Sequence, residues 1–522
     1  VLVLLVGSVG GYLIYLNAQV HRIAVHHLKP APKKGVDVGT ENILMVGSTS
    51  RCALKVQNPV YGLCSQGVTG VNSDVIMILH LDAAKKTVGV LSIPRDLFVP
   101  NARSTGANKI DAALYQGPSQ LVAAIEEDLG IPIQHYVELN FDTFASVVDA
   151  LGGVSMYFPE PIYDAYSGLN VQTPGCIHLD GFIALQVVRA RHLQYKGTGV
   201  TTSDPAFWPQ EGESDLARIR RDHEFLRVLA AAVAQKGLGN PITDAQLISS
   251  IAPDLTIDNS MSTAHMVHLV LSFHGLNPFG APQLTVPVME SSINQYSYKG
   301  GGYGNVEFPS EPQDFAVIDQ FLGTAPDVDT IDGSTLPAPG AISVAVEDGS
   351  GVEAAGQDAE AGLKALGFNV VSLSNVEPVG EQAETVVEYG PDTPAEEAAA
   401  QAVARSLSGQ VIMALAPAGQ AGSAAASSGA QVTVITGTDF AVNPPAPPPV
   451  STTTTSPPRH RHHPATTTTT TVPPATTTTT TTTVPPTTTT TTVPDFAAPT
   501  QPVQALAPWD PRSCTVTGAE GP

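Results

Sequence analysis

The chain opens on an apolar run. Residues 1–16, VLVLLVGSVGGYLIYL, carry no charge. As a helix they would span about 24 Å at about 1.5 Å per residue, close to the roughly 30 Å core of a bilayer. A membrane anchor is therefore expected over 1–20, with a juxtamembrane linker over 21–40. A cleaved signal-peptide core is the competing reading, but no small-residue cleavage pattern follows. Residues 41–48 (ENILMVGS) form a short apolar block that ends on a turn residue, the mark of a buried strand. Residues 74–82 and 87–93 read as two more strands, and the AAKK turn between them predicts an antiparallel hairpin. Helical spacing over 118–129 stops at Gly130, with Pro132 beyond. Residues 136–141 alternate as a strand. Helices are predicted over 141–151, 179–188 and 213–235. Strands alternating with helices over 41–326 predict an α/β domain with a central mixed sheet.

A second unit follows a linker at 327–340. Strands are predicted at 342–346, 369–373, 385–389, 411–415 and 431–435, and helices at 352–366 and 394–407. This β-α-β-β-α-β order, with a fifth strand after it, describes a small α+β domain over 341–438. Beyond it, long Thr runs broken by Val-Pro-Pro fill a stretch that has nothing to bury, so 439–522 reads as a disordered Thr/Pro-rich tail. Such composition suits a glycosylated stalk or a passive spacer outside the cell. Arg22, Lys29, Lys33 and Lys34 after the apolar run would by themselves place that side in the cytoplasm. The tail argues the other way, for a single-pass membrane protein with an extracytoplasmic body. The RHRHH cluster at 459–463 reads as a solvated basic patch for anionic polymer, with metal binding as the alternative.

Composition narrows the function. The 522 residues carry 25 Lys+Arg against 48 Asp+Glu, a formal charge of −23, so a nucleic-acid partner is not expected. Four cysteines exclude a disulfide-dense scaffold but allow one or two bridges. Cys52 and Cys64 flank a short loop after the first strand and could close it. Cys176 and Cys514 either pair or stay free.

Against this acidic background, the basic residues gather where predicted elements end: Arg95 in LSIPRD, Lys109 in NKID, Arg189 and Arg191 in VVRARH, Arg218 and Arg221 in DLARIRR. Guanidinium forks that converge on one site suit a phosphate or pyrophosphate. Arg218 and Arg221 stand i,i+3 on a predicted helix. Arg189 and Arg191 share a face only if 188–192 is extended, which is predicted. Taken singly, each has a plainer explanation: a solvated helix face, surface charges, or a loop-end pair of Arg95 with Asp96. Asp74, at the start of a strand, could hold Mg2+ beside a diphosphate or simply cap the strand. Apolar stretches at 121–129, 144–151 and 225–233 would wall a lipid tunnel or fill an ordinary core.

These motifs resemble those of the LytR-CpsA-Psr family. The stretches NILMVGSTSR, SDVIMILHLD, LSIPRD, NKIDAAL, HYVELNFDTF, VVDALGGVSMYFP, LDGFIALQVVRARH and DLARIRRDHEFL carry the likeness over about 42–290. Residues 341–438 are similar to the C-terminal domain that often accompanies it, through EDGSGVEAAG, ALGF and VVEYGPDTPAEEAA. The resemblance implies a membrane-anchored phosphotransferase that moves a glycopolymer from polyprenyl pyrophosphate to a peptidoglycan hydroxyl. It implies that Arg95, Arg189, Arg191, Arg218 and Arg221 grip the pyrophosphate with help from Lys109, that Asp74 binds Mg2+, and that Asp96 orients Arg95 or deprotonates the acceptor. Four positions depart from the family pattern: Thr49 replaces an acidic residue, Asn72 an Arg, Asp111 an Asn and Asp222 a Gln. The departures keep open a non-catalytic binder of polyprenyl-linked or anionic wall polymers, or a structural or regulatory envelope protein.

Overall fold

The computed structural model describes residues 20–31, 39–52, 54, 59, 62–103, 106–212, 214–235, 255–273, 276–290, 295–298, 301–352, 354–375, 382–416, 429–443 and 505–514. The expected anchor lies outside them, apart from Val20. No helix among the described residues is long and apolar enough to cross a membrane.

The first unit is built on a seven-stranded mixed sheet. Its strands in chain order are β1 (His21–Ile23), β2 (Thr40–Ser48), β3 (Ser73–Asp82), β4 (Thr87–Ser92), β5 (His135–Leu139), then β8 (Thr256–Asp258) and β9 (Gln283–Thr285), separated from β5 by the hairpin β6 (Val154–Phe158) and β7 (Gly175–Leu179). Across the sheet they run β1-β8-β5-β2-β3-β4-β9. Strands β2, β3 and β4 form the expected antiparallel meander, and β5 lies parallel to β2. The central strands read as near-continuous apolar runs because both faces are covered. Leu44, Val46, Ile76, Ile78 and Leu91 are almost wholly buried.

One face is covered by α1 (Pro118–Leu129), which starts on Pro at N1 and stops at Gly130 in the left-handed region, as its sequence predicts. The helices α2 (Phe141–Ala150), α3 (Gly181–Arg189) and α4 (Ser214–Gln235) build a second core with the β6–β7 hairpin around Val148, Leu185 and Phe225. Asn140 and Asp180 cap α2 and α3 by accepting from the backbone N–H of Thr143 and Ile183. At the start of α3 a Cβ on Gly181 would sit 2.3 Å from the carbonyl oxygen of Ala145, so only glycine permits this approach of α3 to α2.

Three expectations are corrected. The helix read over 179–188 begins at Gly181, and the residues before it form β7. Val188 and Arg189 are the last turn of α3, so 188–192 is not one extended stretch; the chain leaves the helix only at Ala190. The region 21–40 is not only a linker, because it supplies the edge strand β1, parallel to β8.

The second unit contributes β12 (Ser343–Asp348), α6 (Ala355–Ala365), β13 (Asn369–Asn375), β14 (Thr385–Tyr389), α7 (Pro394–Ala404), β15 (Leu407–Leu415) and β16 (Val432–Thr436). Its sheet is extended by β10 (Val288–Glu290) and β11 (Glu307–Glu311), which precede α5 (Gln313–Leu322), giving the order β10-β11-β15-β14-β16-β12-β13. Leu121, Ile125 and Ile318 share one apolar cluster with Val344, Val387 and Ala400, so the two units are packed on a common core.

The tail is also corrected. Residues 505–514 are folded onto the first unit. Trp509 stacks on Tyr195 with ring centroids 3.8 Å apart, Asp510 is fully buried, and β17 (Arg512–Ser513) pairs with β6. Trp509 and Asp510 give this segment an aromatic ring and a charge with partners to meet.

Candidate active site

Strands β2, β4 and β5 all point the same way, so their carboxyl ends open at one edge of the sheet. Ser48 ends β2, Pro94 and Arg95 follow β4, and Asn140 follows β5, while Asp74 begins the antiparallel β3 beside them. Ligand crevices in open α/β sheets form outside the carboxyl ends of strands. Here that edge and helices α2 to α4 enclose a cavity of about 410 Å³. Its walls are apolar, among them Val46, Met77, Leu139, Phe144, Leu185 and Phe225. Its rim is cationic, with Arg51, Arg95, Arg189, Arg191 and Arg218. A second hollow of about 230 Å³ adjoins it through the shared residues Arg51, Asp74 and Arg95, and is lined also by Thr49 and Asn72.

Three of the rim cations are held by carboxylates. Arg95 bonds Asp74 and lies 3.6 Å from both Asp96 and Asp111. Arg191 bridges Asp96 at 3.3 Å and Asp215 at 3.2 Å, and Arg218 reaches Asp215 at 3.1 Å. Asp215, which sequence reasoning missed, thus ties α4 to the turn after α3. Burial works against ionised Arg95 and Arg218, but the surrounding carboxylates outweigh it and raise both above their ordinary value. Burial likewise pushes Asp96 up, and Arg95, Lys109 and Arg191 more than reverse it, so Asp96 is held below the usual carboxylate range. Asp111 and Asp222 go the other way: burial raises them to about 6 and about 7. Both Asp222 oxygens lack a hydrogen-bond donor among the described residues. The guanidinium of Arg189 lies 4.6 Å from the Phe141 ring and that of Arg51 lies 5.7 Å from the same ring.

The site therefore brings together Asp74, Arg95, Arg189, Arg191 and Arg218. Lys109 and Asp96 stand behind the rim, Nζ to Oδ1 at 2.6 Å. Arg221 is corrected: it does not reach the cavity. It is fully buried, donates to the Ala190 carbonyl and Glu211 at 2.6 Å each, and lies 3.4 Å from Asp510 of the docked C-terminal segment. Its role is to hold the chain between Arg189 and Arg191. Arg51 takes the fifth place at the rim. It follows β2 in a loop with no periodicity, and its signals in the sequence were its place at the end of the NILMVGSTSR motif and its closeness to Cys52. The disulfide Cys52–Cys64 forms as the flanking loop suggested, and a second, Cys176–Cys514, joins β7 to the segment after β17.

The sequence model of the LytR_cpsA_psr family matches residues 14–307, more than half the chain. The chain belongs to the LytR-CpsA-Psr family. A model described as LytR cell envelope-related transcriptional attenuator (LytR_C) matches residues 341–440. The probable cell wall biosynthesis protein LcpB of Corynebacterium glutamicum is 34% identical over 262 residues, 50% of this chain and 57% of LcpB. LcpA of the same organism, a cell wall biosynthesis protein, is 26% identical over 417 residues, 72% of this chain and 75% of LcpA. The polyisoprenyl-teichoic acid–peptidoglycan teichoic acid transferase TagV of Bacillus subtilis is 35% identical over 133 residues, 24% of this chain and 34% of TagV. The alignments thus span little more than half of LcpB and about a third of TagV. Among solved structures, a LytR-Csp2A-Psr enzyme from Actinomyces oris is 24% identical, with 52% of this chain and 88% of that one covered and a TM-score of 0.41.

Within the LytR-CpsA-Psr pattern, three of the four departures prove to be linked. The Asn72 backbone N–H donates to the Thr49 hydroxyl at 2.9 Å, and the Asn72 amide donates to Asp111 at 3.1 Å. Asp111 in turn faces Arg95. The fourth, Asp222, lies on the cavity wall 3.7 Å from Arg218.

Proposed function

We propose that this chain transfers a glycopolymer from a polyprenyl-pyrophosphate carrier to a hydroxyl of peptidoglycan, forming a phosphodiester and releasing polyprenyl phosphate. One observation carries the reading: an apolar cavity lined on its charged side by five arginines. An apolar pocket alone suits many ligands, and an arginine cluster alone suits any anion. Together they suit a lipid diphosphate, its hydrocarbon in the cavity and its phosphates at the rim. The names of TagV and its relatives point to the same chemistry.

Phosphoryl transfer asks the protein for position and charge stabilisation more than for covalent chemistry. Arg95, Arg191 and Arg218 are pre-placed by Asp96 and Asp215, so the diphosphate meets fixed donors. Its arrival would take over the Arg95 contact with Asp74. Because three cations hold Asp96 as a carboxylate, its part is to anchor Arg95, Lys109 and Arg191 rather than to accept a proton. Mg2+ fits this mouth. It keeps several waters and binds through one or two carboxylates plus substrate phosphates, and Asp74 beside the Thr49 hydroxyl supplies a single carboxylate with oxygen neighbours. Asp74 would hold the ion, which when bound would neutralise charge on the phosphate oxygens. The two disulfides support an oxidising, extracytoplasmic setting for the body, with 1–20 as its anchor.

The test supplies purified protein with a lipid-pyrophosphate glycan, peptidoglycan and Mg2+. A phosphate-linked product is expected, lost in Arg95→Ala and Arg191→Ala. Donor binding with no product from the wild type would overturn the catalytic reading in favour of a wall-polymer binder.

A further inference from the structure

A second cluster lies at the opposite end of the same sheet. Glu41 opens β2 and His135 opens β5, whereas the cavity lies where these strands close. Ser48 lies seven positions beyond Glu41, about 23 Å at about 3.3 Å per residue. The two strands are parallel neighbours with Ile43 opposite His135. Side chains two apart on a strand share a face, so Glu41, Ile43, His135 and Val137 project together. That face is covered by the helix Thr263–Phe273: Met266 and Leu269 pack with Ile43 and Val137 in one apolar cluster. The packing brings His265 over Glu41, with Nε2 2.8 Å from the carboxylate, and sets its ring 5.3 Å from that of His135. One ligand atom from each of Glu41, His135 and His265 lies within 4.8 Å of the other two.

We propose that Glu41, His135 and His265 bind a zinc ion. Two imidazoles and one carboxylate are a recurrent zinc donor set, with a fourth position left for water. Ligand atoms around a tetrahedral zinc stand about 3.3 Å apart at bond lengths of about 2.0–2.1 Å, so the cluster needs only side-chain rotation to close. The nitrogen-rich set favours zinc over magnesium or calcium, which seek oxygen. All three side chains are partly exposed, which leaves an entry path.

The support around His135 is what a metal histidine needs. Its Nδ1 lies 3.1 Å from the carboxylate of the fully buried Asp258. That carboxylate also accepts from the backbone N–H groups of Tyr136, Ser260 and Met261. A carboxylate bound to one imidazole nitrogen fixes the tautomer and puts the lone pair on the other. Glu41, His135 and His265 come from β2, β5 and the covering helix, so an ion here would pin that helix to the sheet. The site shares no residue with the arginine-rimmed cavity and does not depend on the transferase reading.

The experiment uses the whole chain with His460, His462 and His463 changed to Ala, because those tail imidazoles could bind zinc on their own. Metal-free protein is titrated with Zn2+, and with Co2+ as a spectroscopic reporter. One ion per chain is expected, with the cobalt absorption of a four- or five-coordinate ion, a raised melting temperature, and no competition from Mg2+. Glu41→Gln retains shape and can still hydrogen-bond His265, so it should fold. It and His265→Gln are each expected to weaken zinc by more than about a hundredfold, since losing even an outer partner of a ligand costs about ten- to a hundredfold. Arg95→Ala should bind zinc as the parent does. If the parent binds none, or if both ligand variants bind as it does, the cluster is only a hydrogen-bonded His–Glu pair and the proposal fails.

Discussion

Arg189 illustrates how a rim residue differs from a structural one. Its guanidinium lies over Phe141 at the lip of the cavity, where a phosphate would displace little packing. Arg189→Ala is expected to lower transfer turnover by at least tenfold, about 1.4 kcal/mol, with the melting temperature nearly unchanged; equal rates would remove Arg189 from the site. Asp222 offers a prediction of the opposite kind. Burial raises its carboxyl from 3.8 to about 7, with Asp215 and Asp74 adding and Arg218 and Arg221 opposing. Between these two values the folded chain holds a proton that the unfolded chain releases. The stability from that proton is full below about pH 4 and is lost as the pH rises through 7. Asp222→Asn should therefore flatten the decline in melting temperature between pH 4 and pH 7, measured as the difference from wild type. At this scale the sequence displayed Asp74, Arg95, Arg191 and Arg218 well, because each lies in or next to an element whose pattern is visible. It concealed Arg51, which sits in a loop. It misplaced Arg221, because residues three apart on a helix still differ by about 60° around the axis; Arg218 faces the cavity and Arg221 faces the Ala190 carbonyl.

Among the elements, helix α3 and the turn after it set the spacing of two rim arginines. The turn is held from below, since Arg221 on α4 fastens the Ala190 carbonyl and is itself balanced by Glu211 and Asp510. Removing one member of a buried ionic group strands the others, at a cost of roughly 3–5 kcal/mol. Arg221→Ala should lose about that much in urea unfolding and lose activity as well, whereas Arg189→Ala should lose activity alone. Most elements were legible because their ends are marked: Pro118 and Gly130 bound α1, and Asn140 and Asp180 precede α2 and α3. The departure at 188–192 has a physical cause. Val188 still faces the core of α2 to α4, so burial keeps the last turn helical beyond where the arginine spacing alone would end it. Strand β7 went unread because the helical run predicted over 179–188 begins on its last residue, Leu179.

Across the whole molecule, parts distant in sequence complete one another. Strands β10 and β11 finish the sheet of the second unit, and the segment 505–514 finishes the first. The pairing of β17 with β6 lay beyond sequence reasoning, because two residues carry no periodicity and their partner is more than 350 positions away. It can be tested with a specific protease site placed at residue 480. After cleavage, the two pieces should migrate together on a denaturing gel without reductant and separate once Cys176–Cys514 is reduced. Separation without reductant would show that the bond is absent. The two bridges also impose a timetable on the molecule's maturation. Cys52 meets Cys64 after only 12 residues, while Cys176 must wait for 338 more before its partner has been synthesised. For that whole interval a nascent chain carries one unmatched thiol, and its first bridge has to be closed early enough to keep the late arrival from joining the wrong partner.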